Sequence, residues 1–426
     1  MLKRTILLIV VITVSAWYGY SIQLLIPMDE TQKNHLKSYG IAYWVLQRDV
    51  EVKWLLNYRG GSFLMQNIPE IENECVVRGV SYITLTDVQA SAILNEISRP
   101  DVNQDAVSMN KAPKIAVYSP PNKQPWDDAV TLVLSYAEIE HDIIYDEEIL
   151  DGKLSDYDWL HLHHEDFTGQ FGKFWRTHQH LPWYQEEVKI NRQIANKRGF
   201  LKVAELKSFV AREIRRYVIN GGFLFAMCAA TDTYDIALAA TDVDICGPMF
   251  DGDPIEENPD EKLDFSHTFA FENFSLVTNP DIYEFSTIDA SATAGAPYVR
   301  DVARENDYFT LFEFSAKWDP VPTMLCQNHN NLIKGFMGQT TAFRKEVLKP
   351  EVLVMGENKP AGEARYIHGE KGKGFWTFYG GHDPEDYTHQ VGDPPTDLAL
   401  HKNSPGYRLI LNNILFPAAK KKKLKT

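Results

Sequence analysis

The sequence predicts an α/β fold with a doubly wound, mostly parallel sheet. Short apolar runs alternate with segments of helical periodicity over residues 24–97 and again over residues 114–245. The run from Phe223 to Met227 is continuously apolar, as in a strand that is buried on both faces of a parallel sheet. Such an alternation favours right-handed βαβ units, with helices packed on both faces of the sheet.

The first alternation predicts an N-terminal α/β region over residues 23–112. Leu24 to Pro27 is strand-like, and the apolar residues between 36 and 46 recur at helical spacing. Val52 to Leu56 is the next strand, so the three elements form a βαβ unit. A further short strand and a helix follow, and the polar segment from Pro100 to Pro113 is interpreted as a linker.

The second alternation predicts the first part of the main domain, residues 113–245. Ile115 to Tyr118 and Trp159 to His163 are predicted strands. Lys202 to Val218 is a predicted helix, because its apolar residues form one stripe that a helix buries against a sheet. The apolar strand from Phe223 follows directly.

Residues 246–320 interrupt the alternation and are predicted to be an inserted β-rich segment. Pro, Asp and Glu dominate its first part, and short aromatic runs of strand character follow. Residues 321–418 then complete the main domain. They contain a predicted strand from Phe375 to Tyr379 and a last helix from Tyr407 to Leu415.

The ends of the chain predict export. Two basic residues precede an apolar run from Ile6 to Val14, and small residues follow, which is the order of a secretory signal peptide. Residues 1–22 are therefore predicted to be a signal peptide. The alternative is a membrane anchor, because Ile6 to Ile26 is just long enough to span a bilayer. We expect a periplasmic protein whose membrane contact is limited to this segment, with a basic tail at residues 419–426.

Charge and cysteine content exclude several classes of function. The 426 residues include 58 acidic and 43 basic side chains, for a net charge of −15. Such a surface repels phosphate backbones, so nucleic acid is not an expected partner. The four cysteines form no CxxC pair, which excludes a zinc ribbon or thioredoxin-type site. Walker A, GxGxxG and GxSxG motifs are also absent, and we expect a small-molecule partner and no cofactor.

Cys228 is the candidate nucleophile. It stands where the predicted strand from Phe223 ends and a helix begins, which is the geometry of a nucleophile elbow. A thiol at a helix N-terminus lies in a field that favours the thiolate, the form that attacks carbonyl carbon. The alternative is a buried structural cysteine, one of the most frequently buried residue types.

His382 is the candidate base for this nucleophile. It follows a predicted strand and two glycines, and the acidic residues Asp383 and Glu385 come directly after it. A cysteine nucleophile needs a base, and the base needs an acceptor that fixes its tautomer. The alternative is a histidine that caps a loop.

These pieces resemble the class I glutamine amidotransferase superfamily, including its ThuA-like branch, over residues 114–416 apart from the insertion. By this resemblance Cys228 is the nucleophile, His382 is the base, and the sheet is of glutamine amidotransferase type. Alanines stand where the family has glycines beside the cysteine. The His-x-Glu of the family is His382-Asp383-Pro384-Glu385 here, so Glu385 and Asp383 both remain candidates for the orienting acid.

Polar segments at other predicted strand ends supply candidate ligand-binding residues. Ligands of doubly wound sheets bind at the carboxyl ends of the strands. Glu165, Asp166 and Gly169 follow one predicted strand, and Asp232 follows Cys228. In the amidotransferase interpretation, the loop from Glu165 would donate oxyanion-hole N–H groups, with Gly169 allowing a close approach.

The chain is also similar to exported proteins of Bacteroidota that are often labelled asparagine synthetase B. It shares Leu56 to Phe63 and Ser404 to Asn413 with them. ATP-dependent asparagine synthesis is not supported, because residue 2 is Leu2 rather than a cysteine and no SGGxDS loop is present. Within the shared segment, Arg59 is a candidate carboxylate ligand, and a structural arginine in a glycine turn is the alternative.

A histidine cluster offers a competing interpretation. His161, His163 and His164 are candidate metal ligands, since imidazole is a common ligand of zinc and similar ions. His164-Glu165 does not start an HExxH motif, because the last position is Thr168. Packed, hydrogen-bonded histidines are the alternative, and we expect no metal cofactor.

Two functions therefore follow from the sequence. The first is an exported Cys-His hydrolase that attacks an amide as a glutaminase does. The second is a non-catalytic or carbohydrate-related ligand-binding protein on the same fold, in which aromatic side chains such as Trp183, Trp376 and Tyr379 hold the ligand. Neither the substrate nor the oligomeric state follows from the sequence.

Overall fold

The computed structural model describes residues 22–122, 125, 127–290, 307–386 and 392–420. The predicted signal peptide, apart from Ile22, lies outside the described residues, and so does most of the predicted basic tail. The described residues form a mixed α/β structure with two sheets. None of their helices is long and apolar enough to cross a membrane.

The strands and helices are numbered in chain order. The strands are β1 Ile22–Ile26, β2 Val52–Leu56, β3 Ser62–Gln66, β4 Ile83–Thr86, β5 Asp105–Met109, β6 Ile115–Tyr118, β7 Asp142–Ile144, β8 Trp159–Leu162, β9 Phe223–Met227, β10 Tyr308–Leu311, β11 Leu332–Lys334, β12 Phe343–Arg344, β13 Leu353–Asn358, β14 Glu363–Lys371 and β15 Gly374–Tyr379. The helices are α1 His35–Leu46, α2 Pro69–Arg78, α3 Asp87–Ser98, α4 Ala129–Ala137, α5 Asp146–Leu150, α6 Trp175–His178, α7 Pro182–Arg198, α8 Val203–Ile219, α9 Ala229–Ala239, α10 Pro248–Asp251, α11 Pro320–Leu325 and α12 Pro405–Leu415.

The N-terminal region is a five-stranded antiparallel sheet in the order β4-β1-β3-β2-β5. The predicted βαβ path is present, but β3 lies between β1 and β2, so the expected adjacent parallel pair is not formed. The short turn at residues 57–61 returns the chain directly alongside β2, which imposes antiparallel pairing. Part of the predicted linker, Asp105–Met109, is the edge strand β5.

The large sheet is parallel in one half and antiparallel in the other. Strands β7-β6-β8-β9-β15 are parallel neighbours in that order. Strands β14, β13, β10 and β11 continue the sheet beyond β15 with antiparallel pairing. The prediction of a mostly parallel sheet therefore holds for one half only. Gly372 and Lys373 form the two-residue connection between β14 and β15, and such a short connection permits only a hairpin.

Helices cover both faces of the parallel half. Residues of α4 and α12 share one core with Phe223 and Phe225 of β9. On the opposite face, α8 and α9 pack against each other and share a second core with Leu224 and Ala226. The apolar stripe predicted for α8 is buried as expected, which confirms this helix. Alternate residues of β9 thus face opposite helical layers.

The described part of the predicted insertion is largely irregular. Within residues 246–290 and 307–320, only β10 joins the large sheet, and α10 is a single turn. Isolated bridges, such as Phe271 to Leu348, attach the remainder to the body. The expected β-rich character is therefore limited to β10 and these bridges among the described residues.

Candidate active site

Cys228 occupies the sharp turn between β9 and α9. It is the residue directly after the strand and the N-cap of the helix, with φ 52° and ψ −139°. Residues other than glycine rarely adopt positive φ, and such a conformation costs about 1–3 kcal/mol. The small side chains of Ala229 and Ala230 allow the helix to start at once. The strand–helix junction predicted from the sequence is therefore present, with Cys228 at its tip.

The segment from Gly338 to Thr340, between β11 and β12, covers the thiol. The Gln339 backbone N–H donates to Cys228 Sγ at 3.2 Å, and the backbone N–H groups of Ala229 and Thr340 also bond to the sulfur. The Gln339 side-chain amide donates to the carbonyl of Tyr283 at 2.8 Å. The Cys228 side chain is consequently buried, with 2% exposure.

His382 lies beside this cysteine. Strand β15 pairs with β9 in parallel, so both strands end at the same edge of the sheet. The residues that follow them are in contact there, since Cys228 N donates to Gly381 O at 3.1 Å. A Cβ added to Gly338 would lie 2.9 Å from His382 Cδ2 and 3.0 Å from Cys228 Sγ. The ring carbon and the sulfur therefore border the same position beside Gly338 and lie no more than about 6 Å apart, and the φ of 145° at Gly338 strongly favours glycine.

The environment of Cys228 favours the neutral thiol. Burial raises the pKa of the Cys228 thiol to about 11, although the three backbone N–H groups at the sulfur act in the opposite direction. The sequence led us to expect that the helix N-terminus would favour the thiolate. In the structure the loss of hydration has the larger effect, because burial destabilises the thiolate more than the three backbone N–H groups stabilise it.

The two acids that follow His382 have other partners. The Asp383 carboxylate accepts hydrogen bonds from Tyr407 at 3.0 Å and from Thr396 at 2.9 Å. Glu385 Oε2 lies 3.2 Å from His401 Nδ1. These contacts tie both carboxylates to neighbouring loops and to α12. They do not identify either carboxylate as the acid that orients the His382 ring.

His163 and His164 follow β8 directly and lie next to His382, and His161 lies within β8 beside His163. The ring centroids of His163 and His164 are 3.7 Å apart, and they lie 5.4 Å and 4.9 Å from that of His382. His161 points to the same side as His163, where its Nδ1 faces the carbonyl of Phe225 at 3.1 Å. The predicted histidine cluster and the predicted base are therefore one assembly.

Asp128 is the carboxylate of this assembly. Its Oδ1 lies 3.1 Å from His163 Nδ1, and its Oδ2 lies 3.6 Å from His161 Nε2. Burial alone would raise the pKa of Asp128, but the adjacent His163 and His161 rings hold that pKa well below its usual range. Burial also lowers the pKa of His161 and, further still, that of His164. The cluster thus combines an ionised carboxylate with the neutral imidazoles of His161 and His164.

A polar cavity of about 160 Å³ adjoins the cluster. His163, His164 and Asp128 form one wall of it, and Lys207 lies in another wall. Lys207 forms an ion pair with Asp146, with Nζ 2.8 Å from Oδ2, so the carboxylate balances its positive charge. The cavity therefore presents imidazole and carboxylate groups at the carboxyl ends of β6 and β8, where ligands of parallel sheets bind.

The loop after β8 contributes to the same cavity. Glu165 accepts a hydrogen bond from the backbone of His163 at 2.8 Å, and burial raises the pKa of this carboxyl to about 7. Asp166 accepts from the backbone of Thr168 and Gly172 and so fixes the loop. Gly169 has φ 83° and packs against Ala204 of α8, where a Cβ would lie within 2.9 Å. Its close approach is therefore to a helix, and an oxyanion-hole role for this loop stays a prediction.

The remaining predicted ligand residues have structural partners. Asp232 lies one turn into α9, accepts a hydrogen bond from Thr340 Oγ1 at 3.1 Å, and has a pKa raised by burial. It thereby fastens the segment that covers Cys228. Arg59 forms an ion pair with Asp29, with Nε 2.6 Å from Oδ2, in the N-terminal region. This contact agrees with the structural alternative for Arg59.

The aromatic residues predicted to hold a ligand divide into two groups. Trp376 and Tyr379 are 1% and 0% exposed and belong to the core, so they do not reach a ligand from this position. Trp183 is partly buried and packs against Phe174, which lines the polar cavity. Among the described residues, Tyr145, Phe171 and Phe174 are the aromatic side chains that line this cavity.

Sequence reasoning missed Asp128 and the segment Gly338 to Thr340. Asp128 has a local signal, since it caps α4 by accepting from the N–H groups of Val130 and Thr131. The segment Gly338 to Thr340 has no such signal. Its place over Cys228 results from the antiparallel pairing of Met337 with Asp383, which joins distant parts of the chain.

Comparisons with known proteins identify no family. No family model matches the chain, and no curated protein matches it. Among solved structures, a cytoplasmic protein of Salmonella typhimurium is 10% identical, covers 72% of this chain and 100% of its own, and has a TM-score of 0.35. A second one, from Salmonella typhimurium LT2, is 11% identical with the same coverage and TM-score. A GH42 beta-galactosidase is 12% identical over 64% of this chain and 28% of its own, with a TM-score of 0.28.

Proposed function

We propose that the protein is a Cys-His hydrolase that acts on an amide, with Cys228 as nucleophile and His382 as base. The observation that carries this proposal is the strained backbone of Cys228 at the strand–helix junction, with its sulfur and the His382 ring both against Gly338. Backbone strain of this kind concentrates at active sites, because the surrounding fold must maintain it. The order β7-β6-β8-β9-β15 is that of a doubly wound sheet and supports the glutamine amidotransferase type of fold.

The reaction uses the neutral thiol. Because the pKa of Cys228 is raised to about 11, the proton leaves as the sulfur attacks the carbonyl carbon, and His382 accepts it. The proton then passes from His382 to the leaving nitrogen, the C–N bond breaks, and ammonia departs. Water cleaves the resulting thioester to a carboxylic acid, and the thiol is restored.

A periplasmic location remains a proposal that is supported by the sequence of residues 1–22 alone.

The test uses an activated ester and an amide in parallel. We expect p-nitrophenyl acetate to acetylate Cys228, as located by mass spectrometry, and to be turned over. Cys228→Ala and His382→Ala should abolish the turnover, and Cys326→Ala, which removes a thiol elsewhere in the fold, should retain it. Release of ammonia from L-glutamine or L-asparagine by the wild type then tests the amide class. An unmodified Cys228, with turnover unchanged in both variants, would overturn the proposal.

Ligand binding without catalysis is the second candidate. The observation that favours it is the polar cavity beside His163 and His164, which is separate from the thiol. A binding protein would retain its affinity for a small polar ligand in Cys228→Ala, whereas a hydrolase would lose turnover. Equal ligand affinity in wild type and Cys228→Ala, with no acetylation of either, identifies this second function.

A further inference from the structure

We propose that His163, His164 and His382 form a binding site for a divalent transition-metal ion of the zinc type. One nitrogen of each ring contributes, and these three atoms all lie within 4.8 Å of one another. A tetrahedral ion with bonds of about 2.0–2.1 Å holds its ligands roughly 3–4 Å apart. The rings of His163 and His164 are stacked at an interplanar angle of 20°, so they must turn before their in-plane lone pairs meet at one ion. This inference goes beyond the hydrolase proposal and replaces our expectation that no metal is bound, because the sequence did not place His382 in the cluster.

The state of His163 is the second, independent observation. Its side chain is 1% exposed, and its Nδ1 faces Asp128 Oδ1 at 3.1 Å. Its Nε2 is buried and has no hydrogen-bond partner among the described residues. A buried polar atom without a partner costs free energy, so such atoms commonly mark a bound water or ion. A cation at Nε2 supplies the missing partner.

The surroundings have the construction of a metal centre. Asp128 on the outer nitrogen of His163 repeats the carboxylate–histidine arrangement that fixes the tautomer and orientation of metal-binding imidazoles. His164 Nε2 faces the carbonyl of Asp127 at 3.2 Å, which fixes the second ring in the same way. Neutral imidazole is the form that binds metals.

Three protein ligands leave a further position on the ion. His163 and His164 line the polar cavity, so this position opens toward it, and water or a small ligand can occupy it. His161 is outside the ligand set, because it faces Asp128 and Phe225. Imidazole ligands select zinc, copper, nickel or iron over magnesium and calcium, which prefer oxygen.

Occupancy of this site has a consequence for the proposed hydrolase. A neutral imidazole that binds a metal through one nitrogen carries its proton on the other. His382 then cannot accept the proton of Cys228, whichever nitrogen it offers to the metal. Metal binding and acylation of Cys228 should therefore exclude each other.

The test measures metal binding directly and does not require hydrolase activity. Protein without an affinity tag is stripped with a chelator and titrated with Zn²⁺ in competition with a fluorescent chelator. We expect one bound equivalent for the wild type and for His267→Ala, a partly exposed histidine paired with Asp264. His163→Ala, His164→Ala and His382→Ala should each weaken binding more than tenfold. Asp128→Asn should weaken it about 10–100-fold through His163.

Further measurements keep the outcome decisive. X-ray absorption of the Zn²⁺ form should show three nitrogen ligands at about 2.0–2.1 Å. Thermal unfolding in the presence of chelator shows whether the alanine variants fold. If they do not, His164→Gln replaces them in the titration, because His164 is half-buried. Absence of one tightly bound equivalent, or binding that is unchanged in the histidine variants, would overturn the proposal.

The outcome is distinguishable from failure of the hydrolase proposal. Cys228→Ala should bind Zn²⁺ as the wild type does, so metal binding with no acetylation of Cys228 rejects only the hydrolase. Acetylation that continues unchanged in the Zn²⁺ form rejects the predicted exclusion.

Discussion

Cys228 and Gln339 define the site at the level of single residues. The strained backbone of Cys228 aims its sulfur at the backbone N–H of Gln339, and the Gln339 side chain fastens this segment to the loops around Tyr283 and Gly172. The sulfur is thus held in a polar but dry environment, which explains both its hydrogen bonds and its raised pKa. The segment from Gly338 to Thr340 lies against the sulfur, so we expect reagents to reach the thiol when this segment moves away.

This arrangement predicts that Gln339 controls access to the thiol. Gln339→Ala removes side-chain hydrogen bonds worth about 1 kcal/mol each, so the open state should be populated roughly five-fold or more above the wild type. Iodoacetamide labelling of Cys228 in the folded protein, followed by mass spectrometry, should accelerate by that factor. Gln185→Ala, which removes an exposed amide bonded to Gln179, is the matched control. Equal rates in all three proteins would show that the segment is not the barrier.

The hairpin of β14 and β15 links the two halves of the large sheet at the level of elements. One of its strands pairs in parallel with β9, and the other begins the antiparallel half. His368 lies on β14, where it is 4% exposed, stacks on Phe375 and contacts Thr377 Oγ1 at 3.1 Å. Burial lowers the pKa of His368 to about 4, so the ring is neutral in the folded protein at neutral pH.

His368 is therefore predicted to make stability depend on pH. In the unfolded chain His368 binds a proton with a pKa of about 6.5, which is above its pKa in the folded protein. The contribution of neutral His368 to the free energy of unfolding is therefore present at pH 7, and it falls as the pH decreases from about 6.5 to about 4. The full loss is on the order of 3 kcal/mol. Urea unfolding at pH 7.5, 6 and 5 should show a shallower decline for His368→Leu than for the wild type. His141→Leu, a partly exposed histidine, is the control, and identical declines in all three proteins would contradict the prediction.

The two sheets are joined across α1 and α12 at the level of the whole molecule. Helix α1, from the N-terminal region, packs against α4 and α12 beside the large sheet, within one continuous core. Arg408 on α12 is fully buried, and its guanidinium donates to the carbonyls of Met28 and Gly60 and to Tyr39 Oη. These contacts connect the last helix to the loop after β1, to the turn between β2 and β3, and to the first helix.

We predict that Arg408 couples the unfolding of the two sheets. Arg408→Met removes the buried guanidinium that donates to the carbonyls of Met28 and Gly60 and should lower the free energy of unfolding by about 3–5 kcal/mol, with one cooperative transition retained. Hydrogen exchange of β1 and β9 in low urea should accelerate together in this variant. Arg216→Met, which removes an exposed arginine paired with Glu213, should change neither. Faster exchange confined to β1 would mean that the N-terminal sheet unfolds independently.

The sequence by itself determined the features that depend on neighbouring residues. The apolar run at Phe223, the junction at Cys228, the stripe of α8 and the strand before His382 all follow from local hydrophobic pattern and small residues. The parallel strands β9 and β15 end at one edge of the sheet, so the junction at Cys228 and the segment at His382 lie at the same edge, where the sequence predicted them.

Only the tertiary structure decided the features that depend on pairing between distant segments. Strand β3 separates β1 from β2, and the antiparallel half extends the sheet, because hydrogen bonding between strands is not encoded in the period of any one strand. Likewise, the cover of Gly338 to Thr340, the carboxylate of Asp128 and the partners of Asp383 and Glu385 come from elements far apart in the chain. The loss of hydration at Cys228 follows from that cover, and no local pattern reports it.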